Sequence, residues 1–290
     1  MSRLFVTGDT HGPTQLGPYS FDGYLPRFSM ESFQEQKDLS RDDYVLIAGD
    51  FGGVWAWARP YLPEGMHWMR HSGVKNYREL AHGESKEERY SLDLLEEQSF
   101  TTLFVPGNHE NYDRLYHAYP IVSFHGGRAV QIREHIFMLM SGYMYDIAGL
   151  RVFAFGGARS HDITDGILDP ESCLNYAAYR EEYEKWCQTK GLFRVRHISW
   201  WEEEIPDRKT MEFGLQTLEE NSNSADLIIT HCAPASLVPF ADSDVLQDYL
   251  QSVMDRTDYR YWVFGHYHDN QAYHRKGHEM MLYEQIVRLV

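Results

Sequence analysis

Cysteine and long apolar runs are scarce in this sequence of 290 residues. Its cysteines are odd in number and lack the close paired spacing of a zinc-thiolate site, which indicates ordinary thiols in a reducing compartment. Every apolar run is interrupted well before the ~18 residues of a membrane-spanning helix. The N-terminal residues also lack the basic, long-apolar and small-residue succession of a secretory signal. We therefore predict a cytoplasmic protein, in which the free thiols are Cys173, Cys187 and Cys232.

Basic residues are also in short supply. There are 27 Lys and Arg against 43 Asp and Glu, a net charge of −16 with histidine neutral. The negative electrostatic field of such a chain repels phosphate-rich polymers, which argues against a nucleic-acid polymer as partner. A small phosphorylated substrate would still need a locally positive site, which bound divalent cations can supply.

The composition predicts a folded protein, since 43% of the residues are hydrophobic and 14% are aromatic. We find no internal repeat or low-complexity tract, and predict a single domain over residues 1–290. Two insertions are expected, an aromatic-rich one at about 51–83 and a helical one at about 159–210. The aromatics of the first, among them Trp55, Trp57 and Trp68, either pack on their own loop or contact substrate.

Short apolar runs alternate with helical patterns at both ends of the chain, which favours a layered α/β architecture. The predicted strands are Leu4–Thr7, Tyr44–Ala48, Thr102–Val105, Leu227–Thr230 and Tyr261–Phe264. The predicted helices are Lys86–Gln98, Asn111–Tyr119, Pro170–Lys190, Asp207–Asn221 and Asp244–Arg256. Within 136–155, two strand-like runs flank a turn at Asp146–Gly149 and predict a hairpin in a second, facing sheet.

A polar motif stands where each of the five predicted strands ends. These motifs are GDTHG at 8–12, GDFGG at 49–53, GNHE at 107–110, THC at 230–232 and GHYH at 265–268. Their carboxylate, imidazole and amide groups suit borderline divalent metals such as Mn, Fe, Zn, Ni or Co. Seven candidate ligands exceed the needs of one ion with an open position, which implies two metals. The candidates are Asp9, His11, Asp50, Asn108, His231, His266 and His268.

Local spacing adds two expectations. Residues at i and i+2 of an extended segment point the same way, so Asp9 with His11 and His266 with His268 are predicted chelating pairs. A glycine precedes several ligands, where a side chain would obstruct the close approach of backbone, metal and phosphate. These glycines are Gly8, Gly49, Gly107 and Gly265.

The motifs in this order resemble the calcineurin-like metallophosphoesterase superfamily, over Asp9 to His268. The resemblance implies a four-layer α/β/β/α sandwich of two facing mixed sheets, with a metal site at the strands' carboxyl ends. One ion, with manganese favoured for both, would take Asp9, His11, Asp50 and His268. The other would take Asp50, Asn108, His231 and His266. Asp50 would then bridge the ions, while His109 would stand over the phosphate without binding metal.

The stretches FGGARSHDITDGILDP, SWWEEEIP and ITHCAP are also similar to a little-characterised bacterial branch of that superfamily. That similarity does not indicate a substrate. Arg159, His161 and Asp162 either contact the phosphate or leaving group, or form a charged turn beside the second sheet.

One departure from the superfamily narrows the class of substrate that we expect. Its Ser/Thr protein phosphatases carry an Asp-Arg pair where this chain has Gly53 and Val54. That loop therefore lacks the arginine that grips phosphate and the aspartate that pairs with the catalytic histidine, which argues against protein phosphatase activity. Four arginines are candidates to compensate from elsewhere, namely Arg59, Arg114, Arg128 and Arg159.

The predicted reaction is hydrolysis of a small phosphorylated molecule or nucleotide, as monoester or diester, by a hydroxide that bridges two metals. Asp50, Asn108 and His109 are the expected catalytic residues, and His109 would give a proton to the departing oxygen. Glu110 either orients the loop around His109 or caps the following helix. A nuclease and a non-catalytic, metal-stabilised binding scaffold are the alternatives.

Overall fold

The computed structural model describes residues 2–12, 24–55, 83–238 and 243–290. The strands are, in chain order, β1 (Leu4–Thr7), β2 (Tyr44–Ile47), β3 (Thr101–Phe104), β4 (Ile121–Phe124), β5 (Gly127–Arg133), β6 (Ile136–Leu139), β7 (Tyr143–Ile147), β8 (Leu150–Phe155), β9 (Gly166–Leu168), β10 (Phe193–Val195), β11 (Ser224–Thr230), β12 (Asp258–Phe264), β13 (Gln271–Tyr273), β14 (His278–Met281) and β15 (Ile286–Arg288). The α-helices are α1 (Tyr24–Arg27), α2 (Lys86–Glu96), α3 (Tyr112–His117), α4 (Tyr176–Thr189), α5 (Arg208–Glu220) and α6 (Val245–Arg256). Short 3₁₀ helices cover Gln34–Asp38, Pro170–Ser172 and Glu202–Glu204.

Two large mixed sheets form the centre of the fold. In the described ranges, seven strands make the first sheet in the order β15-β1-β2-β3-β6-β5-β4, and six make the second in the order β13-β14-β12-β11-β8-β7. Strands β1, β2 and β3 are parallel neighbours in the first sheet, as are β8, β11 and β12 in the second. The loops after these parallel strands therefore emerge at the same edge of each sheet.

Three hydrophobic cores separate four layers, because alternate side chains of a strand point to opposite faces. Leu46 and Leu103 of the first sheet pack with Val152 and Ile229 of the second in the central core. The other face of the first sheet packs on helices α2 and α3, through residues such as Leu92 and Leu115. The outer face of the second sheet packs on α5 and α6, through residues such as Leu218 and Val253. The predicted α/β/β/α sandwich is confirmed.

The strands and helices predicted from sequence are present, with ends that differ by a few residues. The predicted hairpin is β7 and β8, whose turn holds Ala148 and Gly149 with φ of 53° and 78°. The run that begins at Ile136 is instead β6 of the first sheet. In the part of the chain that the structure describes, every helix is too short or too polar to span a membrane. All three cysteines are free thiols.

The segment predicted as a helical insertion is only partly helical. Besides α4 it contains β9 and β10, which pair in parallel as a separate small sheet. Most of the aromatic-rich stretch, including Trp57, Arg59 and Trp68, lies outside the described residues. The single-domain assignment and both insertion boundaries remain predictions.

Candidate metal centre

The candidate ligands lie in the loops that follow β1, β2, β3, β11 and β12. These loops come from both sheets and meet at one end of the sandwich. The carboxylates of Asp9 and Asp50 and the ring of His231 are buried there, with at most 2% of each residue exposed. Buried carboxylates need close positive charge or hydrogen-bond donors to remain ionised.

One group of donor atoms comes from Asp9, His11 and His268. Nε2 of His11 lies 2.8 Å from Nε2 of His268. Oδ2 of Asp9 lies 3.3 Å from Nε2 of His268 and 3.9 Å from Nε2 of His11. Two ring nitrogens and a carboxylate oxygen thus converge from the loops after β1 and β12.

A second group surrounds His231. Its Nε2 lies 3.3 Å from Oδ1 of Asp50 and 3.2 Å from Oδ1 of Asn108. Its Nδ1 donates to the carbonyl oxygen of Ala48 at 2.8 Å, which fixes the ring with Nε2 directed towards Asp50 and Asn108. Oδ2 of Asp50 is in turn 4.0 Å from Nδ1 of His11, which places Asp50 between the two groups.

His266 is held in the same site mainly through its backbone. Its N–H donates to Oδ1 and Oδ2 of Asp9 at 2.9 and 3.0 Å. The His266 ring centre lies 4.9 Å from that of His231 and 4.6 Å from that of His161. The imidazole therefore borders the second group.

The donor set fits divalent cations. Three-residue groups of oxygen and nitrogen atoms lie within 4.8 Å of one another at Asp9, His11 and His268, and at Asp9, Asp50 and His231. Lone pairs that converge this closely repel one another unless a proton or a cation lies among them. Carboxylate, imidazole and amide ligands suit borderline divalent metals.

The chelating pairs do not arise from extended backbone, so that part of the sequence argument is wrong. His11, Asp50, His266 and His268 have φ of 51°, 42°, 72° and 51°. Non-glycine residues in this left-handed region are uncommon and concentrate at functional sites, where the surrounding structure maintains the strain. The loops curl sharply after the strands and turn these side chains inward.

The predicted role of the glycines agrees with the geometry. A Cβ at Gly107 would lie 2.1 Å from Oδ1 of Asp50, and one at Gly265 would lie 2.1 Å from Oδ1 of Asp9. Neither carboxylate could keep its place beside an alanine. These positions require glycine because the backbone passes directly against a candidate ligand.

His109 contacts the guanidinium of Arg194, a residue that no sequence motif indicated. Nε2 of His109 lies 3.0 Å from Nη2 of Arg194, which is on β10 and is 6% exposed. Arg194 also donates from Nη1 to the carbonyl oxygen of Asn108 at 3.2 Å, and its Nε lies 2.6 Å from Oδ1 of Asp162. Because a guanidinium only donates, Nε2 of His109 is the acceptor. Desolvation by the surrounding loops lowers the pKa of His109, with Arg194 adding to that shift and Asp50 opposing it.

Asn108 is oriented by hydrogen bonds that run through Ser160 to Glu204, both in the predicted insertion at about 159–210. Its Nδ2 lies 3.4 Å from Oγ of Ser160, which donates to Oε2 of Glu204 at 2.6 Å. The backbone N–H of Ser160 also donates to Glu204, at 3.0 Å. With its amide nitrogen directed to Ser160, Asn108 presents Oδ1 to His231 and the candidate metal site.

Glu110 joins two of the motif loops. Its Oε1 accepts from the backbone N–H of Phe51 at 2.7 Å, and the helix that follows is capped by Asn111 instead. Burial and the nearby Asp50 raise the pKa of Glu110 to about 8, against the hydrogen bonds from Gly52 and Phe51. These contacts support the interpretation of Glu110 as a loop-orienting residue, and the cap interpretation is wrong.

Of the arginines proposed to grip phosphate, three lie among the described residues, and of these only Arg159 borders the site. Arg114 is fully buried in an ion pair with Glu88 at 2.6 Å, so that prediction is wrong. Arg128 is exposed on β5 and does not line the cavity over the site. Arg159 lines that cavity, together with Arg194. The contribution of Arg194 had no signal in the sequence, because no motif surrounds it.

The cavity over the site has a volume of about 730 Å³. Asp50, Asn108 and His109 form part of its wall, as do Arg159, His161 and Asp162. Of the two interpretations of that charged stretch, its place beside the metal site favours substrate contact. The size lies within the range of about 300 to 1,000 Å³ typical of small-molecule sites.

Comparison with known proteins identifies a family model. The calcineurin-like phosphoesterase model matches residues 2–270. A Staphylococcus aureus structure with alpha-ketoglutarate, described as a 5′-nucleotidase, is 14% identical with a TM-score of 0.42; the match covers 99% of this chain and 50% of that one, so this chain spans about half its length. A phosphopantetheinyl hydrolase from Mycobacterium tuberculosis is 15% identical with a TM-score of 0.35, with 97% of this chain and 88% of that one covered. No curated protein matches the sequence.

Proposed function

Because this chain belongs to the calcineurin-like phosphoesterase family, we propose that it is a phosphoester hydrolase that uses two divalent metal ions to hydrolyse a small phosphorylated molecule or nucleotide. The observation that carries the proposal is the place of Asp50. Its carboxylate lies between the His11 group and the His231 group, at 4.0 and 3.3 Å from their ring nitrogens. Monoesters and diesters both remain candidates.

The proposed ligands divide between the two ions as follows. Asp9, His11, Asp50 and His268 would hold one ion, and Asp50, Asn108, His231 and His266 would hold the other, with manganese favoured. The convergence of His11, His268 and Asp9 supports the first set. The contacts of His231 with Asp50 and Asn108 support the second. When bound, the ions would supply positive charge for a phosphoryl oxygen and for the attacking water.

His109 and Arg194 act on the substrate side of the site. In the structure, Arg194 donates to Nε2 of His109 at 3.0 Å. A phosphoryl oxygen entering the cavity competes for this donor, because hydrogen bonds from arginine to phosphate are strong and bidentate. Once Arg194 binds that oxygen, Nε2 of His109 is free to take up a proton from water and pass it to the departing oxygen. Asp162 keeps the guanidinium beside the cavity through its 2.6 Å ion pair.

The test is hydrolysis of p-nitrophenyl phosphate and bis-p-nitrophenyl phosphate by purified protein with added Mn²⁺. We expect Asp50→Asn to lose both metal and turnover, since it removes the proposed shared ligand. We expect His109→Ala to keep metal content and lose about 10²- to 10⁴-fold in kcat, the usual contribution of general acid catalysis. The control is His117→Ala, at an exposed histidine of α3.

Metal-loaded wild-type protein that hydrolyses neither ester would contradict the proposal and favour a non-catalytic scaffold. Preference for the monoester or diester would settle the reaction class. The nuclease alternative has less support, because the net charge of −16 opposes binding of a nucleic-acid polymer. The cytoplasmic location also remains a prediction.

A further inference from the structure

A second cavity borders His109 on the side of the insertion. It has a volume of about 370 Å³ and shares His109, Asp162 and Arg194 with the larger cavity over the metal centre. These three residues therefore border both cavities. A substrate bound at the metal centre would have the second cavity next to it, at His109.

Three aromatic side chains and one aliphatic side chain line the second cavity, beside polar ones such as Glu110 and Ser199. Trp55, Phe193, Ile198 and Trp201 form its walls. The larger cavity contains candidate metal ligands and Arg159, with Tyr267 as its one tyrosine and Ile163 as an aliphatic neighbour. Three aromatic rings beside the candidate metal centre suit a substrate with a charged phosphoryl end and a flat apolar end.

Its walls are held in place by the surrounding fold. Nε1 of Trp201 donates to Oδ2 of Asp113 on α3 at 2.7 Å. The ring of Phe193 packs edge to face on that of Trp186, with centroids 5.2 Å apart. The backbone N–H of Trp55 donates to the buried Glu88 at 3.1 Å. Such fixed aromatic walls lose little entropy when a ring enters between them.

We propose that the second cavity binds the departing group of the substrate and that this group carries a flat aromatic ring. The inference rests on the proposed function, in which His109 lies beside the departing oxygen. Since His109 borders both cavities, the departing group extends past it into the second cavity while the phosphoryl group stays among the metal ligands. The substrate class is then a phosphate ester of a nucleoside or of another ring-bearing alcohol.

Matched esters test this inference. Each pair shares the same primary-alcohol leaving group and differs in the ring: adenosine 5′-monophosphate against ribose 5-phosphate, and 2-phenylethyl phosphate against ethyl phosphate. The pairs are used as monoesters or as methyl diesters, whichever class the nitrophenyl assay shows to be hydrolysed. Stacking of a base on aromatic side chains predicts kcat/KM at least about tenfold higher for the ring-bearing ester. A preference in the nucleoside pair alone would identify a nucleoside, and one in both pairs a general ring site.

Two variants locate the ring. Trp55→Ala and Phe193→Ala should each bring the ratio of kcat/KM within a pair towards one. Tyr90→Ala, at an aromatic residue of α2 that is 66% exposed, should keep the wild-type ratio. A wild-type ratio near one in both pairs would overturn the inference while nitrophenyl hydrolysis still supported the proposed function. A high ratio that persists in both cavity variants would also overturn it, because the ring would then bind elsewhere.

Discussion

Arg194 reaches the candidate metal centre from a segment that carries none of the aspartate and histidine motifs. Its guanidinium contacts His109, Asp162 and the carbonyl oxygen of Asn108 at once, and little of it is exposed. The rigid fork of a guanidinium can make these contacts together, whereas a lysine ammonium is a single point charge. The loop after β2, where related protein phosphatases carry an arginine, has Val54 here. Arg194 is placed to bind the phosphate in place of that arginine.

At this scale we expect replacement of Arg194 to lower activity without releasing metal. Loss of one preorganised donor to a developing oxyanion costs about 10²- to 10³-fold in kcat, so Arg194→Ala should fall in that range. Arg194→Lys should recover only part of the loss, since it cannot keep all three contacts. The measurement is kcat/KM with metal content determined on the same samples.

The matched control is Arg196→Ala, two residues along the same segment. Arg196 pairs with Asp169 and Glu202 and does not line the cavity. Full activity in Arg194→Ala with metal retained would refute the role assigned to Arg194.

At the scale of elements, strand β14 shows how one carboxylate can organise a turn. Oε1 of the buried Glu279 accepts from the backbone N–H groups of Lys276 and Gly277 at 3.0 and 2.8 Å, and from the Tyr259 hydroxyl at 2.7 Å. Its Oε2 accepts from the N–H of Arg275 at 2.9 Å. Burial opposes ionisation, but these hydrogen bonds lower the pKa of Glu279 from 4.5 to about 2.

We expect Glu279→Gln to destabilise the protein by about 1–3 kcal/mol at neutral pH, because an amide cannot accept from every donor. A carboxyl whose folded pKa is lowered contributes stability that is complete above its unfolded pKa of 4.5 and is lost as the pH falls towards 2. The difference between wild type and variant should therefore shrink as the pH falls from 7 to about 3. Urea unfolding at several pH values measures it.

A glutamate outside such a network serves as the comparison. Glu212 on α5 has a largely exposed side chain that contacts Arg208 one helical turn away. Glu212→Gln should change the free energy of unfolding little at any pH. A pH-independent difference for Glu279→Gln would show that lost packing, and not the ionised carboxylate, explains its effect.

At the scale of the whole molecule, the candidate metal centre joins the two sheets. Asp9, Asp50 and Asn108 follow strands of the first sheet, whereas His231 and His268 follow strands of the second. Ions held among them would cross-link the two halves of the sandwich. Bound ions would also offset the repulsion between the buried carboxylates of a chain with a net charge of −16.

Metal removal should therefore lower the thermal stability as well as abolish activity. An ion present at about 100 times its Kd contributes about 2.7 kcal/mol, which predicts a fall in Tm of roughly 5–10 °C on chelation. Asp50→Asn, which removes the proposed shared ligand, should respond much less to the chelator. Calorimetry with and without EDTA, followed by addition of Mn²⁺, measures both. An unchanged Tm in wild type, together with full loss of metal, would contradict the cross-linking role.

The sequence by itself determined the fold class and the set of candidate ligands, because both follow from local patterns. A buried strand that ends in Gly and a polar residue is visible over a few positions, as at Asp9, Asp50 and His266. The family match over residues 2–270 agrees with that inference. Strand and helix types were predictable for the same reason, since hydrophobic periodicity is a local property.

Only the tertiary structure decided what surrounds those ligands. Glu110 binds the backbone of Phe51, 59 positions earlier, and Arg194 contacts His109 across 85 positions. No sequence spacing records such pairs, because they depend on how the loops and the insertion pack. The left-handed backbone at His11 and His268 likewise reflects constraints from the whole fold. Local chemistry can therefore be inferred from the chain, whereas the second cavity and its aromatic walls exist only once distant segments meet.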